Sequence, residues 1–291
     1  MSKVLVMTDT VACIPRDVAE KQRIKIVPAA HIHYNGKSYV DGVTLSPADA
    51  YELIKKDPDR FITSALTPAY LLEEFTKASK EAQSILFISL SSALSAASKT
   101  AALAAELVRE ELPQINIRIM DSKTVASAQG LIVMAAAKAA NAGMSLDDVA
   151  DFAEKVRQQT FGFMMLDTLR YVYRTGRMSK IGSRIASMFN IKPINKVTEE
   201  GKVEMVDRTR NRDDGLEILI NLVKDSSKTK ALHFMVTHAA DINVANQFSD
   251  MLKNNFTCLS LTISDYSPVM GYGAGPGAIF VGFHPEINLS K

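Results

Sequence analysis

The sequence predicts an α/β protein, with an N-terminal parallel-sheet domain flanked by helices and a second α/β domain behind it. Three observations lead to this fold class. Short apolar runs alternate with helical stretches, which is the pattern of parallel strands joined by crossover helices. The 291 residues are enough for two ordinary domains. Hydrophobic residues make up 47% and charged residues 23% of the chain, a globular mixture that excludes disorder.

The first domain is predicted from apolar runs and helix-capping residues. Its predicted strands are Lys3–Thr8, Ile24–Ile32, Ser84–Leu90 and Ile115–Met120. Asn35-Gly36 is a strong hairpin signal after the second of these runs. Helices are predicted to begin at Ser46, Thr67, Ser95 and Ser145, and the apolar stretch Lys123–Asn141 predicts a buried helix.

The pattern changes near residue 160, where we predict a boundary between domains 1–160 and 161–291. The later strands are expected at Phe161–Leu166, Ile191–Val197, Gly201–Val206, Leu232–Thr237, Thr257–Ile263 and Ala278–Phe283. Helices are expected at Asp213–Asp225 and Ile242–Lys253. The second domain is therefore also expected to combine strands and helices.

The net charge and the cysteine content indicate where the protein is located and which partners it does not bind. A net charge of +2 gives no bulk attraction to nucleic acid or to an anionic membrane. The two cysteines, Cys13 and Cys258, have no metal or redox spacing, which favours a reducing cytoplasm. We recognise no signal peptide and no apolar run of about 18 residues that would span a membrane. We expect a cytoplasmic protein without a metal ion or a cofactor.

Two hydroxyl-rich segments are candidates for binding an anion. Thr63-Ser64 precedes the helix that starts at Thr67-Pro68, and Ser91-Ser92-Ala93-Leu94-Ser95 follows the strand Ser84–Leu90. Hydroxyls beside the N-terminus of a helix suit a carboxylate, although ordinary helix capping explains each segment equally well. We expect both segments at the same edge of one parallel sheet, where ligands bind beyond the carboxyl ends of the strands.

Two further segments allow more than one interpretation. Arg177 follows Gly176, a predicted helix end, and its planar guanidinium would pair with a carboxylate or a phosphate; a solvated basic helix end is the alternative. The glycine-rich stretch 271–277 permits close approach of a ligand or forms a tight turn between strands. It matches neither a dinucleotide fingerprint nor a P-loop.

Catalytic motifs are weak. The chain contains no G-x-S-x-G elbow, and His31 with His33 are expected to be core or rim residues of a strand. The enzymatic alternative is a hydrolase or phosphotransferase with Ser95 or Thr63 as nucleophile and His238 as base.

Several motifs, in a fixed order along nearly the whole chain, resemble those of the bacterial DegV family. They are Val6–Thr10, Val27-Pro28, Tyr39–Gly42, Thr63-Ser64 with Pro68, Ser91–Ser95, Asp121-Ser122, Asp167–Tyr171, Gly176–Ser179, Ile191–Ile194, Gly201, Arg208–Arg210 and Gly275–Ala278. The resemblance implies a two-domain α/β fold with a fatty acid bound between the domains. It also implies a carrier rather than an enzyme.

The resemblance assigns roles to individual residues. It implies that Thr63 and Ser95 hold the carboxylate, with Ser64 and Ser92 close by. Several family members are the lipid-carrying subunit of a bacterial fatty acid kinase and present the acyl carboxylate to a separate ATP-dependent kinase. The resemblance would make Arg177 and Arg210 face the phosphate or that kinase. Where the family has a histidine near the head group this chain has Gly273, which puts phosphoryl transfer in doubt. A lipid-responsive regulatory module is the remaining alternative.

Overall fold

The structure is a computed structural model that describes residues 4–177 and 191–289. Its strands follow the chain as β1 (Val4–Asp9), β2 (Ile24–Val27), β3 (Ala30–Tyr34), β4 (Lys37–Val40), β5 (Ile62–Ala65), β6 (Ser84–Ser89), β7 (Asn116–Asp121), β8 (Phe161–Met165), β9 (Lys192–Val197), β10 (Val203–Thr209), β11 (Ala231–His238), β12 (Thr257–Asp265) and β13 (Ile279–Pro285). Its helices are α1 (Arg16–Gln22), α2 (Pro47–Lys56), α3 (Pro68–Ser79), α4 (Ala97–Glu111), α5 (Ala126–Asn141), α6 (Leu146–Arg157), α7 (Arg170–Thr175), α8 (Arg212–Ser226), α9 (Ile242–Asn255) and α10 (Pro268–Ala274).

The first sheet has four parallel strands in the order β2-β1-β6-β7. Strand β6 is buried along its whole length, because helices cover both faces of the sheet. Leu86 faces α5 and α6, while its neighbour Phe87 faces α3 and α4. The predicted parallel sheet with flanking helices is confirmed.

The second sheet has six strands in the order β10-β9-β8-β13-β11-β12. All neighbouring pairs are antiparallel except β11 and β12, which run parallel. Helices α8 and α9 cover one face, where Leu219 and Phe248 meet Phe234 in a buried cluster. A mixed second sheet with helices agrees with the predicted α/β class.

Helix α5 lies between the two larger sheets and packs on both. Two glycines, Gly162 of β8 and Gly282 of β13, are register partners beneath its first turn. A Cβ atom at Gly282 would lie 2.5 Å from the backbone nitrogen of Ala128, and one at Gly162 would lie 2.6 Å from Phe280 Cζ. The missing side chains therefore let the helix backbone rest directly on the sheet.

A third sheet, which the sequence did not predict, has the order β4-β3-β5. The predicted single strand Ile24–Ile32 is wrong: it is broken after Val27, and its two halves join different sheets. Pro28 lies at the break and has no N–H to continue a ladder. The hairpin prediction is confirmed, since Asn35 and Gly36 both have positive φ, as a two-residue type I′ turn requires.

The first sheet is built from residues before position 160 and the second from residues after it. One buried cluster nevertheless contains side chains from both parts, among them Val11, Val125 and Phe280. The domain boundary at residue 160 stays a prediction. Within the described ranges, each helix is too short or too polar to cross a bilayer.

Candidate functional site

A cavity lies beyond the carboxyl ends of the first sheet, where that sheet meets the other two. Its apolar wall includes Val11, Leu90, Val125, Met164, Leu166 and Val203. The cavity and its open mouth together enclose about 1080 Å³, part of which is open to solvent. A mostly apolar wall with few polar groups favours a ligand with a large hydrocarbon part.

Thr63 reaches this cavity from an unexpected element. It lies on β5 of the three-stranded sheet, paired with the fully buried Ile32, and it is half-buried on the cavity wall. The expected common sheet edge is therefore wrong, because Ser95 follows β6 of the parallel sheet. The fold still brings Thr63 and Ser95 to the wall of one cavity.

Ser64 also lines the cavity, but its hydroxyl has a protein partner. Successive strand residues point to opposite faces, so Ser64 shares its face with His33 and not with Thr63. The Ser64 hydroxyl lies 3.0 Å from His33 Nε2, and Ser38 Oγ lies 2.9 Å from Nδ1 of the same ring. His33 is thus a rim residue that ties three strands together, as the sequence predicts.

The segment Ser91–Ser95 is held by hydrogen bonds that leave one hydroxyl at the cavity. Ser91 is buried, and its hydroxyl donates to the Gly201 carbonyl at 2.8 Å. Ser92 is exposed and outside the cavity wall; its N–H donates to Asp121 Oδ1 at 3.2 Å. Ser95 is half-buried on the wall, and its Oγ accepts from the Ala97 N–H at 3.2 Å.

Helix α4 begins one residue later than predicted. Its N-cap position is Ala96, and no side chain caps it. Ser95 therefore satisfies one free N–H group from just before the cap, and its hydroxyl proton stays available to a ligand oxygen. Positive potential at this helix end also suits a carboxylate.

The glycine-rich stretch forms a cavity wall instead of a plain turn. Its first part belongs to α10, which presents Met270 and Gly273 to the cavity. The first turn of α10 is capped from a distant part of the chain, since Asp41 Oδ1 accepts from the Val269 N–H at 3.0 Å. The Thr10 hydroxyl donates to the other oxygen of Asp41. Burial raises the pKa of the Asp41 carboxyl to about 6.

Asp9, like Asp41, is a buried carboxyl that accepts hydrogen bonds from the backbone, here at the residue before the segment Ser91–Ser95. It is buried and accepts from the Leu90 N–H at 2.9 Å, from the Val11 N–H at 3.1 Å and from Gln129 at 3.2 Å. Burial raises the pKa of Asp9 to about 6. Asp9 thus ties the segments that follow β1 and β6 together.

The two arginines singled out from the sequence lie in different places. Arg177 lines the cavity, and its guanidinium donates to the Thr175 carbonyl. Gly176 has φ 65° and ends α7, as predicted. Arg210 follows β10, is exposed and is not part of the wall. The motif residues Met178 and Ser179 lie outside the described residues.

The enzymatic alternative finds no geometric support in the part of the chain that the structure describes. His238 is not on the cavity wall; its Nδ1 accepts from the Asp241 N–H at 3.3 Å and lies 3.5 Å from Asp265 Oδ1. Burial lowers the pKa of His238. Among residues 4–177 and 191–289, no three His, Cys, Asp or Glu side chains form a group that suits a metal ion.

Three wall or support residues received no role from the sequence, although Asp41 lies in the motif Tyr39–Gly42. Asp41 and Tyr266 act through contacts between remote segments, and Met164 is one of many interchangeable apolar residues. Ser267-Pro268 is a recognisable helix start that would have indicated α10.

The fold and the cavity define an α/β protein with an apolar pocket where its sheets meet. The family model for uncharacterised DegV proteins matches residues 3–286, so the chain belongs to the DegV family. A DegV domain-containing protein of Caldanaerobacter subterraneus is 27% identical over 287 residues, which cover 98% of this chain and 100% of the relative. A DegV domain-containing protein of Listeria innocua is 28% identical, with 95% and 96% covered.

Solved structures of low sequence identity share the fold. The fatty-acid-binding DegV family protein from Thermus thermophilus matches with a TM-score of 0.88 at 21% identity, covering 98% of this chain and 100% of that one. A DegV family protein from Eubacterium eligens, loaded with heptadecanoic acid, matches with a TM-score of 0.87 at 20% identity, covering 97% and 100%. The predicted family and fold class are confirmed.

Proposed function

We propose that this protein binds one long-chain fatty acid, with the tail in the cavity and the carboxylate at the hydroxyls of Thr63 and Ser95. The observation that carries the proposal is the composition of the wall, which is mostly apolar and includes the half-buried hydroxyl residues Thr63 and Ser95. A fatty acid has the same division into a long apolar part and a small anionic end. The solved relatives from Thermus thermophilus and Eubacterium eligens, which are named for bound fatty acids, support the choice of ligand.

The tail supplies most of the affinity. Each buried CH₂ group contributes about 0.8 kcal/mol, so a long acyl chain contributes on the order of 10 kcal/mol before the cost of association. Met164 and Met270 on the wall are flexible and polarisable and fit chains of different shape.

The head group is assigned mainly to two of the four predicted hydroxyls. Thr63 and Ser95 both reach the wall from rigid surroundings, one from a strand and the other from just before a helix. Ser64, bound to His33, supports the strand beside Thr63. Ser92 is exposed and supports the segment through its backbone. The domain boundary near residue 160 would then pass beside the bound lipid.

The double substitution Thr63→Ala and Ser95→Ala tests the head-group assignment. We expect roughly a tenfold or greater loss of affinity for palmitate, because two hydrogen bonds to a charged group are removed. Ser92→Ala is the matched control, since it removes a hydroxyl of the same segment that lies outside the wall. Affinity would be measured by titration calorimetry after delipidation. Equal affinities of the double variant and the control would disprove the assignment.

Extraction of the purified protein with organic solvent, followed by mass spectrometry, tests binding itself. We expect a copurifying acyl chain, and a higher melting temperature of the delipidated protein on addition of palmitate. Absence of both would reject fatty acid binding.

We further propose a carrier role in the cytoplasm, with the bound carboxylate presented to a separate ATP-dependent kinase. The position of Arg177 on the wall supports this role, because its guanidinium suits an acyl phosphate. By its resemblance to the family, this chain has Gly273 where kinase-coupled members have a histidine near the head group. A Cβ atom there would meet only Thr175 Cγ2, at 3.7 Å, so Gly273→His has room for its first side-chain atom.

Acyl phosphate formation with a cognate kinase, ATP and palmitate would be compared for the native chain and Gly273→His. Product from the native chain supports the carrier role, and product only from the variant would mean that Gly273 uncouples the protein from a kinase. Absence of product from both would reject the carrier role while leaving lipid binding intact.

A further inference from the structure

A serine, a histidine and a glutamate lie in hydrogen-bond contact on the second sheet, outside the described wall of the cavity. Ser260 belongs to β12 and His233 to β11, while Glu286 directly follows β13. The hydroxyl oxygen of Ser260 lies 2.8 Å from Nδ1 of His233, and Glu286 Oε2 lies 2.6 Å from Nε2 of the same ring. The histidine therefore connects a hydroxyl to a carboxylate.

An irregularity of β12 brings Ser260 to His233. Leu232 pairs with Cys258, but the next residue, His233, pairs with Ser260, so Leu259 is an extra residue in β12. Leu232 belongs to the buried cluster beneath α8 and α9, so His233 points to the opposite face of the sheet. Without the extra residue, Ser260 would pair one position further along β11 and point towards those helices. Bulges beside active sites re-aim side chains in this way.

The contact with Glu286 decides which nitrogen of His233 carries the proton. The hydrogen bond from His233 lowers the pKa of Glu286, and Lys138 Nζ lies 3.8 Å from its other oxygen, so this carboxyl is ionised at neutral pH. A carboxylate only accepts, so Nε2 of the neutral ring donates to it and the lone pair of Nδ1 faces Ser260. Nδ1 is then positioned to take the hydroxyl proton, as the base of an activated serine does.

Neighbouring residues hold both the histidine and the glutamate in place. His284 is the register partner of His233 on β13, and their ring centroids are 5.0 Å apart. His284 Nδ1 donates to the Pro285 carbonyl at 2.7 Å, and burial lowers the pKa of His284 to about 4, so its ring stays uncharged beside His233. Ile287 packs against the apolar cluster between the first sheet and α5, which anchors the segment that carries Glu286.

Ser260 is accessible to a reactant. It is exposed, and β12 is an edge strand of the described six-stranded sheet. Edge strands have backbone N–H groups without a strand partner, and such groups stabilise the oxygen of a carbonyl under attack. An exposed position on an edge strand favours a small ester with a good leaving group.

We propose that Ser260 is a nucleophile, activated by His233 and Glu286, that hydrolyses small activated esters. The Ser260 oxygen forms a bond to the carbonyl carbon of the ester, and its proton moves to Nδ1 of His233. The bond to the leaving alcohol breaks, and this alcohol takes the proton from His233. Water then attacks the acyl-serine by the same route, which releases the carboxylic acid and restores the hydroxyl. The reaction is independent of the proposed fatty acid binding.

His33 provides a comparison within the same chain. Its Nδ1 lies 2.9 Å from Oγ of Ser38, which is exposed like Ser260. Its Nε2 lies 3.0 Å from the Ser64 hydroxyl and not beside a carboxylate. A hydroxyl can donate or accept, so this contact does not decide which nitrogen carries the proton. Ser38 is therefore the matched control for an exposed serine beside a histidine.

Labelling with a fluorophosphonate, which bonds to an activated serine with loss of fluoride, tests the proposal. Peptide mapping of the labelled native chain by mass spectrometry is expected to find roughly tenfold or more label on Ser260 than on Ser38. His233→Gln should lower the labelling rate of Ser260 by about 10²-fold, the lower end of general-base contributions. Glu286→Gln should lower it roughly tenfold or more, because an amide can donate to Nε2 and favours the unproductive tautomer.

Hydrolysis of p-nitrophenyl acetate is the second measurement. It should be lost in Ser260→Ala and unchanged in Ser38→Ala, while Ser260→Ala keeps the affinity of the native chain for palmitate. Equal labelling of the two serines, or an unchanged labelling rate in His233→Gln, would overturn the proposal, because Ser260 would then be an ordinary exposed hydroxyl. Ester hydrolysis that persists in Ser260→Ala would also overturn it. The comparison of the two serines uses the native chain alone, so it decides even where a variant folds poorly.

Discussion

Two glycines of α10, Gly271 and Gly273, give a sharp test of how this cavity wall is packed. A Cβ atom at Gly271 would lie 2.7 Å from Cε1 and 2.8 Å from the hydroxyl oxygen of Tyr51. Tyr51 is 2% exposed, so its ring has little freedom to move away. A Cβ atom at Gly273 would meet only Thr175 Cγ2 at 3.7 Å, an ordinary van der Waals contact.

Alanine at either position gains the same helix preference, about 0.5–1 kcal/mol relative to glycine. The difference between the two variants therefore isolates the steric contact with Tyr51. Overpacking of a well-packed interior costs about 1–3 kcal/mol. We expect Gly273→Ala to be as stable as the native chain or slightly more stable, and Gly271→Ala to be about 1–3 kcal/mol less stable than Gly273→Ala.

The measurement is the free energy of unfolding in urea at 25 °C for both variants and the native chain. All three proteins must be delipidated, because a bound ligand adds stability that grows with the logarithm of its concentration relative to its Kd. Equal unfolding free energies for the two variants would refute the reasoning, since they would mean that Tyr51 and α10 adjust without cost. If Gly273→Ala were less stable than Gly271→Ala, the tight contact would lie at Gly273 and not at Gly271.

Two further predictions concern groups behind the wall. Burial raises the pKa of Asp41 from 3.8 to about 6, so the stability that this carboxyl contributes is complete below about pH 4 and is lost as the pH rises through 6. Asp41→Asn should remove about 2 kcal/mol of the fall in unfolding free energy between pH 4 and 6. Urea titrations with an unchanged fall would contradict this. Gly282→Ala would place a Cβ atom 2.5 Å from the Ala128 nitrogen. We expect it to lower the free energy of unfolding by about 3 kcal/mol and with it the melting temperature. A melting temperature like that of Gly273→Ala would show that α5 does not rest on the sheet.

Local sequence signals predicted the parts of the fold whose contacts are local. Ser46, Thr67 and Ser145 cap their helices as predicted, each accepting from an N–H group three residues later. The continuous apolar runs predicted the central parallel strands β1 and β6, because helices on both faces of the sheet bury residues on both sides of these strands. These features depend on neighbours within a few residues, which a single sequence reveals.

The third sheet could not be predicted in the same way. Strand β5 has four mostly exposed or half-buried residues, so it carries no apolar alternation that would mark it as a strand. Its existence depends on pairing with β3, and β3 itself is hidden inside the apolar run Ile24–Ile32. Thr63 therefore lies on an antiparallel strand where a loop before a helix was expected.

The candidate site was only partly predictable for the same physical reason. Thr63 and Ser95 were singled out as hydroxyl-bearing residues near helix starts, and the fold does bring both to one wall. Asp41 and Tyr266 carry no such local mark, because their roles depend on which segments the chain folds against them. The hydrogen bond from Val269 to Asp41 joins residues 228 positions apart.

The position of the cavity follows from how α5 is packed. At Ala128 the helix touches the second sheet without space for a methyl group, yet Val125, three residues earlier, lies on the cavity wall. The close contact fixes the distance between the two large sheets, and just beyond it the wall is lined by small side chains such as Ala29 and Ala30 that cannot fill the gap. An apolar cavity of this size lowers the stability of the ligand-free fold, since its lining lacks contacts on one side. A bound acyl chain restores those contacts, so the same packing that destabilises the free protein favours binding of the lipid.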